Sequence, residues 1–137
     1  MRDNIWLAER LKAIHRDYFI DISIPNQLLA RFGRSSKTRL GSISSKRDPE
    51  NRLISVITLT GFFQAVSVPE FILDATLAHE LAHYTHGFHS PHQRLYSHPH
   101  RGNVVGKELK ERGADHLVQQ QQQWLKEHWR RHLAESI

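Results

Sequence analysis

Residues 69–85 read Pro-Glu-Phe-Ile-Leu-Asp-Ala-Thr-Leu-Ala-His-Glu-Leu-Ala-His-Tyr-Thr. Proline is suited to a helix's first turn. Behind it, Ile72, Leu73, Leu77, Leu81 and Tyr84 recur at three- and four-residue spacing, so the stretch Pro69–Thr85 is predicted to be an amphipathic helix. His79 and His83 are four apart and flank that apolar stripe. Positions i and i+4 share a helix face, so both imidazoles can reach one metal ion. Glu80 is next to the first histidine, where a carboxylate can act on a water beside that ion.

The flanking sequence sets the fold class. Upstream, Leu7, Leu11, Ile14 and Tyr18 predict a helix over residues 3–19. Ile20, Ile22 and Ile24 alternate with polar residues and predict a short strand ended by Pro25. A second strand is expected at Thr38–Ser44, then a charged turn over 46–52 containing Pro49. The β-branched run Leu53–Thr60, closed by Gly61, reads as a third strand. Downstream, residues 87–103 carry Gly87, Pro91, Pro99 and Gly102 and read as an irregular loop. A short helix, Val104–Arg112, stops at Gly113, and a last one runs from about 114 to 133 with Leu117, Val118, Leu125, Trp129 and Leu133 on its apolar side. Helix, strands, motif helix, loop, helices: this order predicts one α+β domain over residues 1–137, a small mixed sheet packed on helices with the histidine motif on a central helix. The five glutamines at 119–123 lie inside a helical pattern and are expected on a solvated face.

Composition narrows the function. With no cysteine there is neither a disulfide framework nor a cysteine-type zinc site. No apolar run reaches membrane-spanning length, and Met1-Arg2-Asp3-Asn4 lacks the layout of a signal peptide, so a soluble cytoplasmic protein is expected. The net charge of +5 and the clusters Arg31–Lys46 and Lys126–Arg131 permit contact with DNA or another polyanion, although charge runs are more often solvated faces. Trp124 and Trp129, interleaved with Lys126, Arg130 and Arg131, are read first as core packing and second as a nucleic-acid surface.

A catalytic zinc takes three protein ligands, so His79 and His83 need a partner. Seven of the chain's eleven histidines lie between residues 79 and 100. His89 follows Gly87, where the chain can turn back. His98 and His100 bracket Pro99 and precede a helix. Glu108 and Glu111 are carboxylate candidates, with Asp115 available to orient a ligand histidine. Spacing alone leaves His89, His100 and Glu111 open.

The box His79-Glu80-Leu81-Ala82-His83, with Lys37-Thr38-Arg39-Leu40-Gly41-Ser42 and an apolar strand before it, resembles the SprT-like zincin metallopeptidases over roughly residues 20–113. The resemblance implies Zn2+ as cofactor, Glu80 as the catalytic general base, peptide-bond hydrolysis, and a protein or peptide substrate that is in some cases DNA-bound. It also implies a third ligand from a histidine that opens a helix after a loop, which favours His100. The related WLM and YgjP-like groups place that histidine six positions after the second, which corresponds to His89, and a gluzincin pattern corresponds to Glu111. In such families the substrate lies extended along an edge strand, for which Leu53–Thr60 is a candidate, with a buried core strand as the equal alternative. The alternative function is a non-catalytic, zinc-stabilised nucleic-acid-binding module.

Overall fold

The computed structural model describes residues 1–136 and shows an α+β fold. Helix α1, Asn4–Tyr18, starts on Asp3, whose carboxylate accepts from the Trp6 amide at 2.8 Å. It buries Leu7, Leu11 and Ile14. Three strands follow: β1 (Gln27–Phe32), β2 (Gly41–Arg47) and β3 (Leu53–Leu59). The sheet order is β1-β3-β2, with β1 parallel and β2 antiparallel to β3. Helix α2 (Glu70–Thr85) packs against α1, the sheet, α3 (Val104–Glu111) and α4 (Asp115–Trp124). Beyond α4, a π-helical turn at Leu125–Trp129 leads without a break into α5, Arg130–Glu135. No helix among the described residues is long and apolar enough to cross a membrane.

Each strand's composition accounts for its place. Leu-Ile-Ser-Val-Ile-Thr-Leu of β3 is buried along nearly its whole length, as a strand covered on both faces must be. The Leu53–Thr60 stretch is therefore the middle of the sheet, and the edge-strand expectation for it is corrected. The edge beside α2 is β2, Gly-Ser-Ile-Ser-Ser-Lys-Arg, whose small and charged residues suit a solvent-facing border.

The strand expected at Ile20–Ile24 does not form. Its alternation is not matched by burial, since Ile20 is 71% and Ile24 37% exposed. Neighbours also occupy its carbonyls: His15 Nε2 donates to Ile22 O and His92 Nε2 to Ser23 O, each at 2.7 Å. The first strand forms instead after Pro25, at Gln27–Phe32.

The last helix follows the expected span but contains the π turn. Five residues apart, Trp124 and Trp129 would lie about 140° apart on an α-helix; the wider turn brings their rings to 6.1 Å. Both are half-buried against the core, and Trp129 also meets Phe62 and Phe63 edge-on. This is the packing role expected first for these tryptophans.

Candidate metal centre

Helix α2 is the centre of the molecule. Ile72, Leu73, Leu77 and Leu81 are fully or almost fully buried, and Ala75, Ala78 and Ala82 let its neighbours approach closely. In this setting Glu80 and His83 are each only 4% exposed, and His79 is half-buried. At the helix end, Gly87 turns the chain at φ +86. A Cβ there would lie 2.5 Å from the backbone of Gln93 and Arg94, so only glycine allows the loop to fold back on itself. The loop is tied at Leu95 N to His86 O (3.0 Å) and returns as His100, just before the helical turn Arg101–Asn103 that leads into α3.

That return brings three imidazoles together. The His83 Nε2 lies 3.2 Å from His79 Nε2 and 3.0 Å from His100 Nε2, and the latter two are 3.4 Å apart. Hydrogen bonding cannot satisfy this triangle, because each ring N–H points along a single line and three nitrogens face one centre. A cation can. Four ligands placed tetrahedrally at zinc–nitrogen distances of about 2.0–2.1 Å are about 3.3–3.4 Å from one another. The observed edges of 3.0–3.4 Å come within about 0.3 Å of one face of that tetrahedron, and the three histidines form a group that could hold a metal ion.

The electrostatics suit the same use. Burial, aided by the neighbouring His100, lowers the His79 pKa to about 4. Burial and the adjacent histidines lower that of His83 to about 3, so both rings are neutral donors at physiological pH. Burial raises the Glu80 carboxyl to about 7, while the Arg39 guanidinium pulls it the other way. The triad and Glu80 open onto a cavity of about 500 Å³ between β2 and α2, also lined by Arg39, Gly41, Ile43, His89, Pro99 and Gln121.

The other candidates lie outside the triad. His89 lines the cavity, yet its Nδ1 meets Ser45 Oγ at 3.0 Å and its backbone carbonyl accepts from Ser55 Oγ at 2.6 Å. Glu111 is exposed at the end of α3. Glu108 faces His86 Nε2 at 2.8 Å, and Asp115 accepts from Gln119. His98 is exposed.

Arg39, Gly41 and Gln121 are among the cavity residues that spacing does not mark as part of a site. Gly41 and Arg39 sit in the stretch quoted for the resemblance, but nothing in their spacing points at α2. Gln121 hides in a run of five glutamines. It turns inward and donates to Ile72 O (3.0 Å) and Thr76 Oγ1 (2.7 Å), so this residue departs from the solvated face expected for the run.

Comparison with family models, with curated proteins and with solved structures finds no match to this chain.

Proposed function

We propose that this chain is a zinc-dependent peptidase of the SprT-like zincin type. One observation carries the reading: three imidazole Nε2 atoms converge within 3.0–3.4 Å on the helix that holds the buried Glu80, and all four residues open onto one cavity. His79, His83 and His100 would hold Zn2+. Zinc bound there supplies Lewis-acid polarisation of a substrate carbonyl and lowers the pKa of water.

The chain's own residues do the rest. Glu80 takes the proton of the attacking water and delivers it to the departing amine nitrogen. Its burial keeps that carboxylate from competing bulk water. The free edge of β2 runs along the cavity, where Gly41, Ser42 and Ile43 offer backbone groups to an extended substrate segment. Main-chain pairing of this kind binds unfolded polypeptide with little demand on its sequence.

Glu80→Gln tests the reading, because it keeps the shape of the side chain and removes its basicity. The variant is expected to bind about one zinc per chain, like the wild type, and to lose cleavage of an unfolded protein by at least about 100-fold. Zinc-loaded wild type that cleaves no unfolded protein, with or without DNA, would overturn it.

A second reading, the non-catalytic nucleic-acid-binding module, draws on one contact. Trp129 Nε1 donates to Lys37 O at 3.0 Å, so the basic segments around Lys37 and Lys126–Arg131 adjoin. This reading survives if the wild type binds zinc, binds DNA with steep salt dependence and cuts nothing.

A further inference from the structure

Among the described residues, the cavity over the triad carries one exposed formal charge. Most of its wall is apolar or neutral, including Leu40, Ile43, Phe88 and Pro99, and among the described residues its only carboxylate is the buried Glu80. Arg39 stands at the rim, exposed. Among the described residues its guanidinium has no ion pair and no hydrogen-bond acceptor; only its backbone amide is engaged, with Ser36 Oγ at 3.0 Å. Arg10, Arg52 and Arg112, by contrast, are each paired with carboxylates.

The loop that presents Arg39 is fixed. Gly33 N donates to Leu59 O and Gly61 N to Arg34 O. Thr60 clamps Ser36 twice, accepting from its amide and donating to its carbonyl, both at 2.8 Å. Trp129 holds Lys37 O. Thr60 N reaches Leu40 O at 2.8 Å on the far side of Arg39. The backbone on either side of Arg39 is therefore tied down, while its side chain is free for a ligand. An arginine on a rigid loop beside an apolar cavity recognises a planar anion, and in an extended polypeptide that anion is a carboxylate side chain.

We propose that Arg39 is a specificity-determining residue, which binds an Asp or Glu side chain of the substrate within about three residues of the cut bond. The proposal rests on the peptidase reading above.

The test uses peptides, matched except for Glu, Gln or Lys at each position around a cleavage site mapped by mass spectrometry on an unfolded protein. One charge-assisted hydrogen bond predicts a kcat/KM about tenfold or more higher for the best Glu peptide than for its Gln twin. Arg39→Gln should bring that ratio to about one, Arg39→Lys should keep part of it, and Arg39→Glu should move the preference to Lys. A residue that only tuned the charge of Glu80 would alter all three peptides alike and leave the ratio in place.

Binding supplies a readout independent of turnover. Zinc-loaded Glu80→Gln should bind the labelled Glu peptide more tightly than the Gln peptide in fluorescence anisotropy, and adding Arg39→Gln should abolish the difference. If the wild type cuts all three peptides alike, or Arg39→Gln keeps the preference, the carboxylate site is wrong and the peptidase stands. If nothing is cut but binding of the Glu peptide depends on Arg39, the peptidase fails and the carboxylate site stands. If nothing is cut and no peptide is preferred, both fall.

Discussion

His83 and His86 lie three residues apart at the end of one helix and meet opposite surroundings. The Nε2 of His83 faces two other imidazole nitrogens. That of His86, fully buried, faces Glu108 at 2.8 Å. Glu108 is held by Arg112 Nε at 2.9 Å, and Arg112 continues to Asp21 at 2.6 Å and to Tyr18 O at 3.0 Å. One histidine ends in a chain of paired charges that ties α3 to the segment after α1. The other ends in a set of donors that calls for a cation. A ring nitrogen committed to a carboxylate is not available to a metal, so the partner, and not the spacing, separates a candidate ligand from a strut.

Substitutions should pull these two sites apart. His100→Ala removes one corner of the triangle. Loss of a group that merely orients a ligand costs about 10–100-fold in metal affinity, so loss of a ligand is expected to cost more than about 100-fold, with the melting temperature of the zinc-free protein unchanged. Zinc titration with a competing chelator reads the first, and calorimetry the second. Equal zinc affinity in His100→Ala and wild type would remove this residue from the centre and reopen the choice among His89 and Glu111. His86→Ala should do the reverse. It leaves Glu108 Oε1 without its buried imidazole partner, though Arg112 still holds Oε2, and opens a void, at a cost of about 2–4 kcal/mol in stability, while zinc stoichiometry stays near one per chain. A variant that melts like the wild type, or that loses zinc, would show that His86 is no strut.

The same contrast marks how far the sequence could be read. The α+β class, the motif helix, the loop and the helices behind it were legible because each depends on local periodicity or on a breaker such as Gly87 or Gly113. The first strand was misplaced because Ile20, Ile22 and Ile24 alternate like a strand, and nothing local shows that His15 and His92 take the carbonyls. The order of the sheet was illegible for a related reason: Leu53–Leu59 is apolar at five of its seven residues, which fits a centre or an edge until β1 pairs with it in parallel. Within the site, His79, Glu80 and His83 follow from helical geometry alone. That His100 closes the triangle rests on Gly87 reversing the chain and on where α3 begins, so spacing left it among three candidates. Gly41, Arg39 and Gln121 reach the cavity by tertiary contact only.

Gly41 allows the finest test, because it joins the triad's side of the molecule to the sheet without touching the His86 side. A Cβ at this position would lie 2.6 Å from Thr76 Cγ2 and 3.3 Å from Glu80 Oε2. Thr76 cannot turn aside at no cost, since its Oγ1 donates to Ile72 O at 2.8 Å and accepts from Gln121 at 2.7 Å. Gly41→Ala should therefore press β2 away from α2 and disturb Glu80, with a stability loss of about 1–3 kcal/mol from overpacking and a larger proportional loss of cleavage than of zinc binding. Thr76→Ser removes the obstructing methyl and keeps the hydroxyl with both its bonds. Adding it to Gly41→Ala should recover at least half of the lost stability, measured by urea denaturation, and the two changes should be non-additive as expected for side chains in contact. Additive losses, or a Gly41→Ala protein as stable and active as the wild type, would mean that the strand and the motif helix do not need this close approach to set Glu80 in place.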